Sequence, residues 1–469
     1  MRRTRGDIDL DQDTKNPVAP LKAKSNVLLV EPMFPVPNKS KNHKDFLPVG
    51  LLKIGAWLTD EGHRVRLVRG NIPESKLDFT PDEIWITSLF TYWSKYVIET
   101  AKHYRGFRGR PRLVVGGIYA SLMPEHCREE TGCDVVFKGV HPLAEEYYPD
   151  YALLDNGLDI QIVHASRGCI HKCKFCGVHI IEPDGLKSAP SIIPLIATPR
   201  PGEKRVHVQD IESDDYEIER RNLVFYDNNL LANENIERIL RELAYLKRLR
   251  KIGWCESQSG FDGRVMQKQP HLARMLREAG FKDPRIAWDW GMSQEGSIKR
   301  QIDLLREAGY QSKDIFVFML YNWGIPFEEM ERKRIKCFEW KVQIADCRYR
   351  PLNQTYDEYR PGKKNQLRGY YVHTKKGWTD ALVKQFRRNV RRQNICVRHD
   401  QLIYSRAFET KKASREQIHE VNAVELPEEK IEALQRMGFD YWNPAEFTPP
   451  EDYDPTKLRP LQTTIEEYL

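Results

Sequence analysis

Residues 160–177, IQIVHASRGCIHKCKFCG, indicate both the fold and the chemistry of this chain. The opening IQIVHAS is rich in β-branched residues, which predicts a buried strand. Three cysteines follow at once: Cys169, Cys173 and Cys176, spaced as C-x3-C-x2-C. A tight loop with this spacing turns three thiolates toward one small inorganic centre, as iron–sulfur proteins do. The sequence therefore predicts a metal-binding loop directly after a strand.

Two other interpretations of the cysteine group stay open. A structural zinc site takes four ligands, and His171 or His179 lies close enough in sequence to supply the fourth. Clustered cysteines of a packed core are a weaker alternative, because Lys172 and Lys174 make the loop polar. The other six of the nine cysteines are scattered singly, which does not fit a disulfide framework.

Downstream of the cysteines, predicted strands alternate with amphipathic helices. The strands are NLVFYDNN (222–229), IGWCESQ (252–258), RIAWDWG (285–291) and DIFVFMLYNWG (314–324). This recurrence predicts a full or partial (β/α) barrel, in which the residues that follow the strands form the site. Polar clusters lie at those positions: Asp227-Asn228-Asn229, Glu256-Ser257-Gln258, Asp289-Trp290-Gly291 and Tyr321-Asn322-Trp323.

Upstream of the cysteines, residues 25–150 show the same alternation and predict a separate domain. NVLLVEP (26–32) and four further apolar runs predict strands, with helical patterns between them. Strands separated by helices favour an α/β, Rossmann-like, doubly wound parallel sheet with ligands at the carboxyl ends of its strands. The predicted division is a disordered lead-in (1–24), this domain (25–150), the partial barrel (158–349) and a C-terminal substrate or accessory region (350–469).

Two long segments lie outside both predicted sheets. Residues 178–221 contain several prolines and no clear periodicity, so we expect an insertion or lid over the barrel mouth. Residues 378–394 predict a basic helix, and we expect the chain after about Tyr349 to pack against the mouth. The helix carries four arginines: Arg387, Arg388, Arg391 and Arg392. They either bind an acidic substrate, RNA included, or form a solvated face.

The composition sets limits on the partners. The 469 residues include 74 basic and 67 acidic side chains, a formal net charge of +7. This mild excess gives a nucleic-acid partner little support but leaves one open. No run reaches the roughly 18 apolar residues of a membrane span, so we expect no membrane partner. The N-terminus lacks the apolar core of a secretory signal, which predicts a cytoplasmic protein.

The cysteine motif, with Phe175 before the last cysteine and Ser-Arg-Gly before the first, resembles that of the radical S-adenosylmethionine enzymes. The resemblance implies a 4Fe–4S cluster on Cys169, Cys173 and Cys176, with S-adenosylmethionine bound at the fourth iron. It also implies that one electron, from a reductase, flavodoxin or ferredoxin, cleaves that cofactor to a 5′-deoxyadenosyl radical. The radical would modify an unactivated carbon of a small-molecule or peptide substrate.

The same resemblance implies further cofactor contacts at the strand ends. They are Tyr226, Asp227, Asn228 and Asn229 after the second strand, Glu256 and Gln258 after the third, and Asp289 and Gly291 after the fourth. Related enzymes have acidic residues where Asn228 stands. For each position the competing interpretation is a residue that only caps or solvates its strand end.

The N-terminal domain is similar to the cobalamin-binding domain of one subclass of that family. GGIYAS (116–121) supplies Gly116 and Gly117 for close backbone approach, and Ser121 for a hydrogen bond to a nucleotide tail. The D-x-H-x-x-G motif that gives cobalt an axial histidine is missing. Two interpretations stay open: the domain binds cobalamin, with methyl transfer as the expected reaction, or it is a scaffold. The competing function for the whole chain is an iron–sulfur redox or binding module that does not cleave S-adenosylmethionine.

Overall fold

The computed structural model describes residues 24–36, 47–154, 157–208, 211–212, 215–405, 441–454 and 456. Of the predicted lead-in, only Lys24 lies within these ranges. Across them, no helix combines the length and the apolar character needed to cross a membrane. All nine cysteines are described, and all are free thiols.

The described chain alternates strands and helices. The strands are β1 (Asn26–Glu31), β2 (Arg64–Arg69), β3 (Glu83–Ser88), β4 (Arg112–Gly117), β5 (Val135–Val136), β6 (Ile160–Val163), β7 (Ser166–Arg167), β8 (Lys187–Ser188), β9 (Asn222–Phe225), β10 (Cys255–Ser257), β11 (Arg285–Ala287), β12 (Phe316–Tyr321), β13 (Gln343–Arg348), β14 (Tyr404–Ser405) and β15 (Tyr441–Trp442). The helices are α1 (Val49–Asp60), α2 (Ser94–Arg105), α3 (Ile118–Leu122), α4 (Pro124–Thr131), α5 (Val178–Ile181), α6 (Ile193–Ile196), α7 (Ile236–Arg248), α8 (Gly263–Lys268), α9 (His271–Glu278), α10 (Glu295–Glu307), α11 (Phe327–Glu339) and α12 (Asp380–Arg398).

The first sheet has five strands, all parallel, in the order β2-β1-β3-β4-β5. Helix α1 covers one face, where Leu52 shares a buried core with Leu29. Helices α2 and α4 cover the other face, where Tyr104 shares a core with Leu28. Because both faces are buried, the strands are almost continuously apolar and stand out in the sequence. The predicted α/β class is confirmed, and this sheet is compatible with the predicted Rossmann-like domain.

A second region contains two three-stranded parallel sheets, β6-β9-β10 and β11-β12-β13 in spatial neighbour order. Single parallel bridges, Cys255 to Phe281 and Phe261 to Ile286, connect the two sheets. We call these six strands the six-strand series. The sequence did not predict β13. Only Ile344 of Gln343–Arg348 is a buried apolar residue, so this stretch shows no clear apolar run.

The middle of the segment 178–221, which was predicted as an insertion or lid, is buried in a core. Ile193 and Ile196 of α6 are buried in the same core as Val163 of β6 and Leu240 of α7. The Glu242 carboxylate accepts hydrogen bonds from the Ser191 hydroxyl and the Ile192 amide. These contacts place the middle of the segment against β6 and α7, in the position of a crossover connection, because burying its isoleucines stabilises it there.

The C-terminal region packs against the six-strand series. The apolar side of α12 is buried as predicted, with Leu382, Phe386 and Val390 in the core that contains β12. Asn322 fixes the chain that leads to this helix: its amide donates to the Tyr371 carbonyl at 2.9 Å, and the His373 amide donates to its side-chain oxygen at 2.9 Å. These contacts place residues 371–373 beside Asn322, which directly follows β12.

Candidate functional site

The cysteine loop begins with a sharp turn after β6. Strand β7 pairs antiparallel with β8, and Gly168 between β7 and the first cysteine has φ +75°. A Cβ on Gly168 would lie 1.9 Å from the Gly185 carbonyl oxygen, so only glycine fits where the two chains meet. The three thiols that follow are all half-buried. Burial raises the pKa of Cys173 to about 11, with the nearby Cys176, Asp289 and Cys169 adding to the shift.

The end of the second strand holds the start of this loop. Asp227 is completely buried, and its carboxylate accepts hydrogen bonds from the Ala165 amide, the Ser166 amide and the Ser166 hydroxyl. Burial raises the pKa of Asp227 to about 6, and these bonds oppose the rise. Glu182 accepts a bond from the Gly168 amide on the other side of the turn. The carboxylate of Asp227, predicted as a cofactor contact, thus holds the start of the loop in this structure.

A second group of side chains contacts Cys169 and His171 of the loop. His171 Nε2 lies 2.6 Å from Asp262 Oδ2, and Arg264 Nη2 lies 2.7 Å from the same nitrogen. The Asn229 amide donates to Asp262 Oδ2 at 3.2 Å and reaches Cys169 Sγ at 3.9 Å. Burial alone would raise the pKa of Asp262, but the bonds from His171, Arg264 and Asn229 lower it. Sequence reasoning missed Asp262 and Arg264; Asp262 also caps α8, which is the one signal the sequence offered.

Three other predicted contacts have partners within the protein. Glu256 is buried, pairs with Arg285 at 2.5 Å and accepts a bond from Gln258 at 2.9 Å. A Cβ on Gly291 would lie 2.4 Å from Glu329 Oε1, so this glycine makes room for that carboxylate. The Glu329 carboxylate in turn accepts a hydrogen bond from the Met292 amide at 2.7 Å. In this structure the contacts of Glu256, Gln258 and Gly291 are therefore internal ones.

The remaining predicted strand-end residues are Tyr226, Asn228 and Asp289. Tyr226 packs with the core around α1, and burial raises its pKa. Asn228 is half-buried. Burial also raises the pKa of Asp289 above its usual range, and this carboxylate acts electrostatically on both Cys173 and Cys176. Asp289 is the predicted strand-end residue that the fold brings close to the thiols. Among the described residues, its carboxylate has no hydrogen-bond partner.

Aromatic side chains extend from the loop to the C-terminal region. The Phe175 ring lies 6.1 Å from both Trp290 and Trp323, measured between ring centroids. Trp323 lies 4.1 Å from Tyr349 and 5.8 Å from His373. These rings, rather than the arginines of α12, connect the C-terminal region to the cysteine loop.

The four arginines of α12 have different surroundings. Arg387 lies over the Tyr359 ring and interacts with Tyr321 at the end of β12 and with Asp346 of β13. Arg392 lies over the rings of Tyr404 and Trp442. Arg388 and Arg391 are exposed.

The predicted cobalamin residues have structural functions in the first sheet. Gly117 has φ +96°, and a Cβ there would lie 2.2 Å from the Ser88 carbonyl oxygen. The Ser121 hydroxyl donates to the Gly117 carbonyl at 2.7 Å and accepts from the Gly139 amide at 2.9 Å. A Cβ on Gly116 would make only ordinary contact, 3.6 Å from Phe137. The bond from the Gly139 amide connects α3, after β4, to the loop after β5, which is the role that the structure shows for the Ser121 hydroxyl.

No family model matches this chain, and no curated protein matches it. Among the described residues, no three His, Cys, Asp or Glu side chains are grouped so that they would hold a metal ion as they stand.

The donor set nevertheless fits an iron–sulfur cluster better than a zinc ion. Three thiols come from one short loop, which is the ligand type and number that a cluster with one open iron requires. Of the two histidines considered as a fourth zinc ligand, His171 has its Nε2 engaged with Asp262 and Arg264, whereas Nδ1 of His179 is buried without a hydrogen-bond partner among the described residues. Asn229 Oδ1 is buried beside Cys169 without a hydrogen-bond partner among the described residues, which leaves an unused acceptor at the site.

Proposed function

We propose that this chain is a radical S-adenosylmethionine enzyme whose 4Fe–4S cluster is held by Cys169, Cys173 and Cys176. The observation that carries the proposal is the C-x3-C-x2-C loop itself, directly after the first strand of the six-strand series and held by the end of the second. When bound, such a cluster supplies the electron that cleaves S-adenosylmethionine reductively to methionine and a 5′-deoxyadenosyl radical.

We also propose that the six-strand series forms an open (β/α) barrel. Its strands follow one another in chain order, all ladders are parallel, and the two bridges join the halves. In such a barrel the residues after the strands face one common mouth. This arrangement accounts for the approach of Asp289 and Trp323 to the loop after β6.

In this proposal the side chains around the loop have three different roles. Asp227 and Asn229 hold the loop in place, as their hydrogen bonds indicate. Asp289 and Asn228 are the polar groups we assign to S-adenosylmethionine, since neither side chain forms a hydrogen bond with the part of the chain that the structure describes. The rings of Phe175 and Trp323 limit the access of water to the site. A radical intermediate requires this protection, because water would allow side reactions.

For the N-terminal domain we propose a scaffold function in preference to cobalamin binding. The contacts of Gly117 and Ser121 explain both residues without a ligand. Phe34 and Trp93 also stack 5.5 Å apart, after β1 and β3, where a ligand of this sheet would bind. If the purified protein takes up hydroxocobalamin in a stoichiometric amount, methyl transfer becomes the expected reaction and the scaffold proposal is wrong.

The decisive experiment is anaerobic reconstitution with iron and sulfide, followed by incubation with S-adenosylmethionine and dithionite. We expect the protein to bind iron and sulfide and to release 5′-deoxyadenosine, measured by mass spectrometry. Alanine substitution of Cys169, Cys173 or Cys176 should abolish both. Cys347→Ala is the matched control: this thiol lies outside the loop and is accessible, so the variant should keep its iron. A bound cluster without 5′-deoxyadenosine would indicate a redox or binding module instead.

A further inference from the structure

Strands β11, β12 and β13 have one face that points away from helices α11 and α12. Along β12 every second residue, from Val317 to Tyr321, is fully buried in the core that contains these helices. Phe318 and Leu320 alternate with them and are only half-buried, so they lie on the opposite face. We call this opposite face of the three strands the inner face.

Cys347 lies on the inner face. Parallel pairing sets it beside Leu320, and side chains of residues paired in this way project to the same side of a sheet. Ala287 of β11 pairs with Phe318 and shares the face for the same reason. Both Cys347 and Ala287 are exposed, although each belongs to a strand of a packed sheet. The inner face is therefore accessible at these positions.

The space in front of Cys347 is deep. A thiol at an open surface keeps an ordinary pKa, but burial raises the pKa of Cys347 to about 12. The carboxylates of Asp346 and Asp289 add to the rise, and Arg350 opposes it. A thiol that is accessible and yet enclosed by protein lies in a recess, which we call the Cys347 recess. Because its pKa is raised, this thiol keeps its hydrogen at neutral pH.

The Cys347 recess is next to the cysteine loop. Asp289 acts electrostatically on Cys347 and also on two thiols of the loop. Asp289 follows Ala287 by two residues. Cys347 follows Ala345 by two residues, and Ala345 is level with Ala287 across β12. Asp289 and Cys347 are therefore level with each other, two strand spacings or roughly 10 Å apart.

Unpaired polar groups lie at the same recess. Asp289 is enclosed by protein, which raises its pKa to about 6, and its carboxylate has no hydrogen-bond partner among the described residues. Trp323 Nε1 is buried and also lacks a partner within the described ranges. The Trp323 ring lies 4.1 Å from that of Tyr349, which follows Cys347 by two residues. A carboxylate and a buried N–H that the protein leaves unpaired point to a bound molecule in the recess.

We propose that Cys347 is a catalytic residue, whose thiol gives a hydrogen atom to the carbon radical of a substrate bound in the Cys347 recess. This inference rests on the proposed function, which supplies that radical. The S–H bond of a thiol is weaker than most C–H bonds, so the transfer to carbon is favourable. The substrate then ends the reaction with as many hydrogen atoms as it had at the start. The reaction class is therefore a conversion without net oxidation, either a rearrangement or an epimerisation.

The reaction balances with one further electron and one proton. A substrate C–H bond loses its hydrogen atom to the 5′-deoxyadenosyl radical, which leaves a carbon radical on the substrate. The S–H bond of Cys347 then breaks homolytically, a new C–H bond forms, and the sulfur becomes a thiyl radical. The one-electron reductant that also reduces the cluster supplies one electron, and water supplies one proton. Together they restore the thiol.

The first test measures access to the thiol in the full chain and needs no catalytic turnover. Methyl methanethiosulfonate is a small thiol reagent, and a maleimide joined to polyethylene glycol is a large one. Mass spectrometry of the digested protein reports on each cysteine separately. We expect Cys347 to react with the small reagent but not with the large one, whereas the buried Cys255 and Cys337 react with neither. A Cys347 that reacts with neither reagent, or equally with both, would contradict the recess.

The second test follows the hydrogen atom. Reconstituted protein, free of added thiols, is incubated in heavy water with S-adenosylmethionine and dithionite but without substrate. In heavy water the Cys347 thiol carries deuterium, and without substrate it is the weak bond to hydrogen that the recess offers to the radical. We therefore expect the wild type to release 5′-deoxyadenosine that carries deuterium, measured by mass spectrometry. Cys347→Ala should keep its iron and still release 5′-deoxyadenosine, with most of that label lost.

Two further variants make the second test specific. Cys347→Ser also exchanges its hydrogen with heavy water but holds it in a stronger O–H bond, so it should lose the label as Cys347→Ala does. Cys396→Ala is the matched control, because this thiol lies on α12 in a separate core, and it should keep the label.

The outcomes separate this inference from the proposed function. Unlabelled 5′-deoxyadenosine from the wild type, full label in Cys347→Ala, or an equal loss in Cys396→Ala would overturn the role of Cys347 and leave the proposed function intact. If none of the proteins releases 5′-deoxyadenosine, the proposed function fails and the inference fails with it.

Discussion

Asp227 accepts hydrogen bonds from both the amide and the hydroxyl of Ser166, at 2.5 and 2.7 Å, inside the protein. This relationship connects the end of β9 to the turn that precedes Cys169. The parallel pairing of β6 with β9 brings the two residues together across 61 positions of sequence. The geometry of the cysteine loop therefore depends on the neighbouring strand as well as on the motif.

Asp227→Ala should destabilise the protein and lower its iron content. It leaves the buried donors of Ala165 and Ser166 unpaired, and each unpaired group costs about 1–3 kcal/mol. We expect a loss of about 3 kcal/mol in the free energy of unfolding, measured by urea denaturation, with less iron bound after reconstitution. Asp227→Asn keeps one acceptor oxygen and should lose less. Asn228→Ala is the control, and an equal loss there would contradict the explanation.

Asn229→Ala should make the reduction potential of the bound cluster more negative. The Asn229 amide reaches Cys169 Sγ at 3.9 Å, and an N–H donor at a ligand sulfur stabilises the more negative, reduced state. A redox titration followed by electron paramagnetic resonance measures the potential. Asn229→Gln, which retains the donor, should recover part of the shift. If the alanine variant has the wild-type potential, Asn229 has only a structural role.

Gly117→Ala should destabilise the first sheet by at least about 2 kcal/mol. Its φ of +96° is unfavourable for alanine, and the new Cβ would lie 2.2 Å from the Ser88 carbonyl oxygen. Gly116→Ala is the control, because its Cβ would make only ordinary contact with Phe137. Thermal unfolding of both variants compares them directly. Equal stabilities of the Gly117→Ala and Gly116→Ala proteins would contradict this structural explanation of the glycine pair and favour a role in ligand binding.

His141 should make the stability of the protein depend on pH between about 4 and 6.5. Burial, among the rings of Trp57, Trp85 and Phe137, lowers the pKa of His141 to about 4, and the carboxylate of Glu145 only partly opposes this. The unfolded chain therefore takes up a proton near its ordinary value of about 6.5 while the folded chain does not. Stability from this group is full above pH 6.5 and is lost as the pH falls toward 4, by up to about 3 kcal/mol.

His141→Asn isolates that contribution from the titration of other groups. The asparagine oxygen can still accept the hydrogen bond that the Ala144 amide donates to Nδ1 of His141. Urea denaturation of both proteins at pH 5 and pH 7.5 gives the difference. The wild type should lose more stability than the variant on acidification, and parallel losses would contradict the assignment.

Removal of the chain after Arg350 should destabilise the six-strand series. Phe386 and Trp378 are fully buried against Tyr321 of β12, so their loss exposes the core. Phe386→Ala removes only part of this packing. We expect it to lower the free energy of unfolding by about 3–5 kcal/mol. Arg388→Ala, an exposed change on the same helix, should remain within about 0.5 kcal/mol of the wild type. A truncated protein that unfolds like the full chain would show that the two parts are independent.

The sequence predicted those elements whose apolar pattern is local and strong. Strands β1 and β9 and helix α12 were all predicted from their own residues, because each buries a continuous run or one clear face. Strand β13 was missed, since its partner β12 and helix α12 provide the contacts that its own sequence does not reveal. For the same reason the sequence did not reveal where the middle of the segment 178–221 lies: Ile193 and Ile196 are too few to show a period, yet they are buried in the core that contains β6.

By itself, the sequence determined the α/β class and the loop that carries Cys169, Cys173 and Cys176, because thiol spacing and strand patterns are properties of neighbouring residues. Only the tertiary structure decided what the polar strand ends do. Asp227, Glu256 and Ser121 look alike in sequence as candidate contacts, but each is buried beside donors from distant segments. A buried polar group must satisfy its hydrogen bonds where it lies, and its partners are set by strand pairing and packing over long separations in the chain.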